Sequence, residues 1–237
     1  MNRKFNEMIV IFLLFNFPLY ASLYVTKPTK IIISRQFLFQ GGRNLKLEVE
    51  GGMISYDCYQ SSSSSANRPL IVYLPGLERT RNEAKSINLQ SLCKREDFTF
   101  LGADYFGVGR SEGKFLDGSV GRWTDDTISL IDSVRKKLGA VSKSKAILVG
   151  HGMGAWISIL IAKKRPDLVS GIVGLSADPD FTEELLWKNL SDEIKKKIMD
   201  EGSCEITWGK EKYPISRNLI EDGRQNLLLA GGPGDNY

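Results

Sequence analysis

The chain has 237 residues, 42% of them hydrophobic and 25% charged, with a formal net charge of +4. That composition suits one globular domain and excludes a disordered chain, while 23 Gly and 8 Pro exclude a collagen-like one. No basic stripe interleaved with aromatics supports nucleic acid binding, and a single histidine, His151, rules out multi-histidine metal sites. Cys58, Cys93 and Cys204 are odd in number and form no CxxC pair, so they read as small buried thiols rather than a disulfide framework.

Residues 1–30 read as a targeting segment. Arg3 and Lys4 precede the apolar run Met8–Phe15, which is too short to cross a bilayer, since a spanning helix needs about 20 apolar residues. Leu19-x-Ala21 is a passable secretory cleavage site, and the low acidity of residues 1–40 also suits a mitochondrial presequence. On residues alone the secretory reading is slightly favoured. Only in that case would the sequon Asn189-Leu190-Ser191 matter.

Strands are predicted at Leu45–Val49, Ile54–Tyr59, Leu70–Leu74, Phe98–Ala103, Ala146–Val149 and Leu168–Leu175. The last four are nearly continuous apolar runs, as in parallel strands covered on both faces. Five serines from Ser61 to Ser65 mark a surface loop ahead of the first of them. Trp123–Leu138 carries a helical apolar stripe, and Gly152–Lys164 is apolar almost all round, so it reads as a buried helix. Leu186, Leu190, Ile194 and Ile198 give Phe181–Met199 the period of an amphipathic helix or helix pair, placed to cap the carboxyl edge of the sheet. The fold class is α/β, a doubly wound and mostly parallel sheet.

The informative stretch is Gly150-His151-Gly152-Met153-Gly154-Ala155, where a buried strand enters a glycine-rich turn and then a helix. Gly150-x-Gly152-x-x-Ala155 satisfies a dinucleotide fingerprint, which would make the protein an NAD(P)-dependent oxidoreductase. The acidic residue expected about twenty residues further on is late, at Asp178. The same residues fit a nucleophile elbow, G-x-S-x-G, with Gly152 in the serine position. A third reading gives the glycines only a packing role.

Context favours the elbow. Pro75-Gly76-Leu77 follows one buried strand, and Asp104-Tyr-Phe-Gly-Val-Gly-Arg-Ser-Glu-Gly113 follows the next. Together with Tyr73-Leu-Pro-Gly76, Gly121-Arg-Trp123, Leu148-Val-Gly-His-Gly-Met-Gly-Ala-Trp156 and Arg165-Pro-Asp-Leu-Val169, the sequence resembles the ABHD10-like α/β hydrolases from about Leu70 to Leu228. These are mitochondrial acyl-protein thioesterases and acyl-glucuronide esterases. The resemblance implies an α/β-hydrolase domain over residues 31–237 with a small helical cap at about 178–220, and a mitochondrial location. It also implies serine-dependent hydrolysis of acyl thioesters or esters on an acylated protein or a small acyl ester, with no metal or organic cofactor. It places the backbone N–H groups of Leu77 and Met153 in the oxyanion hole.

The chain departs from that pattern at the nucleophile, because Gly152 has no side chain, and no histidine follows residue 151. His151 is expected to be structural, with its side chain directed away from the elbow. Asp104, Asp178 and Asp180 lie at strand ends, and Asp104 reads as a turn-capping residue. Cys204 has no histidine to activate it. The resemblance stops near Leu229, so two further strands bearing the aspartate and histidine are expected to be missing, leaving Leu168–Leu175 as an open edge that a partner would cover. The chain is therefore expected to be inactive. Either it is a decayed paralogue, kept as a non-catalytic acyl-binding or protein-binding module, or it is an incomplete frame.

Overall fold

The computed structural model describes residues 9–10, 41–62, 68–139, 145–208 and 211–229. The targeting segment and the serine loop therefore lie mostly outside the described residues. The strands are β1 (Ile9–Val10), β2 (Gly41–Val49), β3 (Gly52–Tyr59), β4 (Leu70–Leu74), β5 (Thr99–Ala103), β6 (Ala146–His151) and β7 (Val169–Leu175). They form one sheet in the order β1-β7-β6-β4-β5-β3-β2. β4 through β7 pair in parallel, while β2 and β3 add an antiparallel edge.

The period-2 alternation of the strands divides the core between two faces. Leu70, Val72 and Leu74 point into one cluster with the helices α2 (Val120–Leu138) and α3 (Met153–Lys164). Ile71 and Tyr73 point into the other, with Cys93 of α1 (Ala84–Arg95). This is the doubly wound α/β sheet that the sequence predicts. Trp123, Thr127, Leu130, Ile131, Val134 and Leu138 are all buried, so the predicted stripe of α2 is its core face. The Ser119 side chain caps this helix, accepting a hydrogen bond from the Arg122 N–H.

Two expectations need correction. The edge at β7 is not wholly open, because β1 lies parallel against it and pairs Ile9 with Gly171 and Val10 with Ile172. An edge strand presents unpaired N–H and C=O groups, and any extended segment within reach can pair with them. The excursion after β7 is also not purely helical. It starts with a five-residue π turn (Thr182–Leu186) and a 3-10 turn (Trp187–Asn189), followed by α4 (Asp192–Glu201). A two-stranded antiparallel hairpin comes next, β8 (Ser203–Trp208) with β9 (Glu211–Ser216), and then α5 (Arg217–Gln225). Ser191 caps α4 and Gly202 ends it in the left-handed conformation, so the chain reverses straight into β8. α5 returns to the main body, where the Trp156 indole N–H donates to the Asn226 carbonyl at 3.1 Å and Asp222 accepts from the Gly121 N–H at 2.6 Å.

Candidate functional site

A pocket of about 300 Å³ opens at the carboxyl ends of the parallel strands, at the small end of the range for ligand sites. Gly76, Leu77 and Arg79 come from the loop after β4, and His151, Gly152 and Met153 from the turn after β6. Asp178 and Phe181 follow β7, and Trp208 and Tyr213 reach in from the hairpin. The three residues singled out in the sequence, Leu77, Gly152 and Met153, therefore share one cavity.

The turn that carries Gly152 is set by close approach. A side chain at Gly150 would put its Cβ 2.3 Å from the Gly154 carbonyl oxygen, and one at Gly154 would meet the Leu74 carbonyl oxygen at 2.2 Å. Only glycine fits at either place. Gly152 has φ 53° and ψ −119°, a backbone state that costs a residue with a side chain about 1–3 kcal/mol. The space beside it differs from that at Gly150 and Gly154. A Cβ on Gly152 would lie 3.5 Å from Asp178 Oδ2 and 4.0 Å from the Ser176 carbonyl oxygen, an ordinary contact. Position 152 thus has room for a side chain and carries none.

Met153 begins α3, so its N–H is one of the helix's unpaired terminal donors, at the positive end of the helix dipole. Neither the Met153 N–H nor the Leu77 N–H has an acceptor among the described residues. Leu77 and Met153 both line the pocket.

His151 does not point away from this turn, as the sequence reading had it. It lines the same pocket, with Nδ1 turned toward Glu83 Oε1 at 3.7 Å, too long for a hydrogen bond. That carboxylate accepts the Tyr73 hydroxyl instead, and burial, followed by this bond, holds the Tyr73 ionisation well above its ordinary range. Burial, followed by the nearby Lys85 charge, lowers the His151 pKa, with Glu83 and Asp178 opposing.

The three aspartates at the strand ends separate cleanly. Asp104 is fully buried and accepts from the N–H groups of Arg81 and Arg110, at 2.8 and 2.9 Å, and from the Arg81 guanidinium. Asp180 is also buried, and accepts from the N–H groups of Leu228 and Leu229. Both are structural, which agrees with the turn-capping expectation for Asp104. Asp178 lines the pocket, and no described residue donates a hydrogen bond to its carboxylate. Burial raises its pKa, with the His151 charge opposing.

Sequence reasoning missed Arg79, Trp208 and Tyr213. Arg79 pairs with Glu211 of the hairpin at 2.5 Å, and the Tyr213 hydroxyl donates to the same carboxylate. Phe181 stacks on Trp208 with ring centres 6.1 Å apart, and Trp208 meets Tyr213 edge-on at 6.4 Å. The hairpin is thereby tied to the loop that carries Leu77. The only signal for it is the short apolar alternation around Ile206 and Trp208. Cys204 sits half-buried on β8, outside the pocket lining.

A twisted parallel sheet, a glycine turn between β6 and α3, and a pocket at the strand carboxyl ends define an α/β hydrolase. The chain belongs to the family described as serine aminopeptidase, S33, whose model matches residues 66–219, and within the α/β hydrolases it is ABHD10-like. The mitochondrial palmitoyl-protein thioesterase ABHD10 of Rattus norvegicus is 29% identical over 164 residues, covering 68% of this chain and 52% of the relative. The chain thus spans about half the length of the curated relatives it matches. A putative hydrolase from Agrobacterium vitis S4 superposes with a TM-score of 0.70 at 25% identity, over 79% of this chain and 72% of that one. Mouse alpha/beta hydrolase domain-containing protein 10 superposes at 0.64 with 24% identity, over 78% and 70%, and shares the fold.

Proposed function

We propose that this chain is an acyl-ester or acyl-thioester binding α/β hydrolase that forms no acyl-enzyme at its elbow. Gly152 stands where a serine hydrolase of this fold holds its nucleophile, and the N–H groups of Leu77 and Met153 form the oxyanion hole. The observation that carries the reading is the pairing of these two free donors with a turn that has space for a side chain and none in it. Backbone donors depend on the turn and not on residue identity, so binding of a carbonyl oxygen survives without a serine. Loss of a serine nucleophile removes about six powers of ten in turnover in a serine protease.

Relatives named as mitochondrial palmitoyl-protein thioesterases support acyl thioesters as the ligand class and the mitochondrion as the location. The opposed reading is a protein-binding module that uses the β7 edge, but the pocket and its free donors favour an acyl ligand. The test uses a non-hydrolysable ketone analogue of an acyl thioester, followed by tryptophan fluorescence. Saturable quenching is expected, with most of the signal lost in Trp208→Phe, because Trp208 lines the pocket. A flat titration contradicts the proposal.

A further inference from the structure

Position 152 and Asp178 have a consequence together that neither has alone. The volume next to Gly152 is bordered by Asp178 Oδ2 and the Ser176 carbonyl oxygen, 3.5 and 4.0 Å from where a Cβ would stand. A water held in a protein needs room and two to four polar partners. Asp178 Oδ2 is the acceptor nearest this space, which opens into the cavity lined by Leu77 and Met153 with their free N–H donors, so the carboxylate and those donors are the polar partners of a water there. The carboxylate of Asp178 has no hydrogen-bond donor among the described residues, whereas Asp104 and Asp180 at neighbouring strand ends are saturated.

We propose that Asp178 is a general base that activates a water molecule in the space left by Gly152, giving the chain direct hydrolysis of acyl thioesters and activated esters without a covalent intermediate. This rests on the carbonyl-binding role just given to Leu77 and Met153. Asp178 takes a proton from the water as the water oxygen bonds to the carbonyl carbon. The carbonyl π pair moves onto its oxygen, held by the two N–H donors. Collapse of the tetrahedral species breaks the carbon–sulfur or carbon–oxygen bond, and the leaving thiolate or alkoxide takes the proton back from Asp178. One water and one thioester give one carboxylic acid and one thiol, with Asp178 returned to its starting state.

The 237-residue chain is assayed with p-nitrophenyl acetate and with S-phenyl thioacetate. Turnover at least tenfold above the buffer rate is expected, unchanged by prior treatment with a fluorophosphonate. Asp178→Asn should lower kcat about 100-fold or to the buffer rate, within the range of about 10²–10⁴ for removing a general base, and leave KM within about threefold. Gly152→Ala should also lower kcat, because its methyl takes the space of the water; circular dichroism shows whether that variant is folded. A wild-type chain that binds the ketone analogue but does not turn over overturns this inference alone. So does an Asp178→Asn variant with wild-type kcat. Failure to bind the analogue overturns the carbonyl-binding reading as well, and turnover abolished by the fluorophosphonate points to a covalent nucleophile and overturns both.

Discussion

Asp104 and Asp178 are the same residue type at the carboxyl edge of the same sheet, and they do opposite things. Asp104 follows β5 and is enclosed: two backbone N–H groups and the Arg81 guanidinium use its oxygens. Arg81 also lies 3.1 Å from Asp57 and donates to Asn44 and Ser55, so one buried cation ties β2 and β3 to the loop after β4. Asp178 follows β7, keeps solvent contact through the pocket and accepts from no described residue. Position at the strand ends makes both carboxylates candidates for chemistry. Hydrogen-bond saturation separates the one that holds the fold from the one that can meet a ligand.

The sharpest way to break this contrast is to remove the partner of one carboxylate and neutralise the other. Arg81→Ala should destabilise the protein by about 3–5 kcal/mol, because it leaves Asp57 and Asp104 buried without their cation. Asp178→Asn should shift stability by no more than about 0.5 kcal/mol. Urea denaturation of both variants measures the difference, and equal losses would end the distinction.

A third aspartate gives an intermediate case with a pH signature. Asp126 on α2 is mostly buried, and burial pushes its pKa to about 6 against an ordinary 3.8, although Arg122 lies 3.7 Å away. The folded state therefore holds the proton more tightly than the unfolded one. That advantage is fully present below about pH 4 and is lost as pH rises through about 6. Asp126→Asn should match the wild type near pH 4 and exceed it by about 3 kcal/mol at pH 8, read from thermal or urea unfolding at both pH values. A gap independent of pH would contradict the assignment.

Gly152→Ser should cost about 1–3 kcal/mol by placing a side chain at φ 53°, yet remain folded because the surrounding contacts are ordinary. Arg79→Ala should also have only a small effect on stability, below about 1 kcal/mol, since its pair with Glu211 is about half exposed on both sides. Its effect should appear instead in the affinity for the ketone analogue, because the pair ties the hairpin to the loop of Leu77.

The sheet was legible because four of its strands are apolar on both faces, and a run such as Leu70–Leu74 allows little else. The glycine turn was legible because its spacing is a steric requirement, visible in the carbonyls that crowd Gly150 and Gly154. α1 was not, because Ala84–Arg95 buries only Ser86 and Cys93 and so carries no clear stripe. The hairpin was hidden for a related reason: a two-stranded ribbon has no second sheet to impose a long apolar pattern, and Pro214 argues against a strand. The turn-capping role of Asp104 was legible, since Arg110 lies six residues along the same loop, but its Arg81 partner and the open carboxylate of Asp178 were not, because tertiary structure decides both. His151 was misjudged similarly, because its direction is fixed by packing against Gly76 and Glu83.

The central claim is that this pocket receives an acyl carbonyl with no nucleophile at position 152. Intact-protein mass spectrometry after incubation with excess fluorophosphonate tests it most directly. The account predicts an unshifted mass for the chain that bears Gly152. A stoichiometric adduct that maps to a residue of this pocket would show a covalent nucleophile at work there and contradict it.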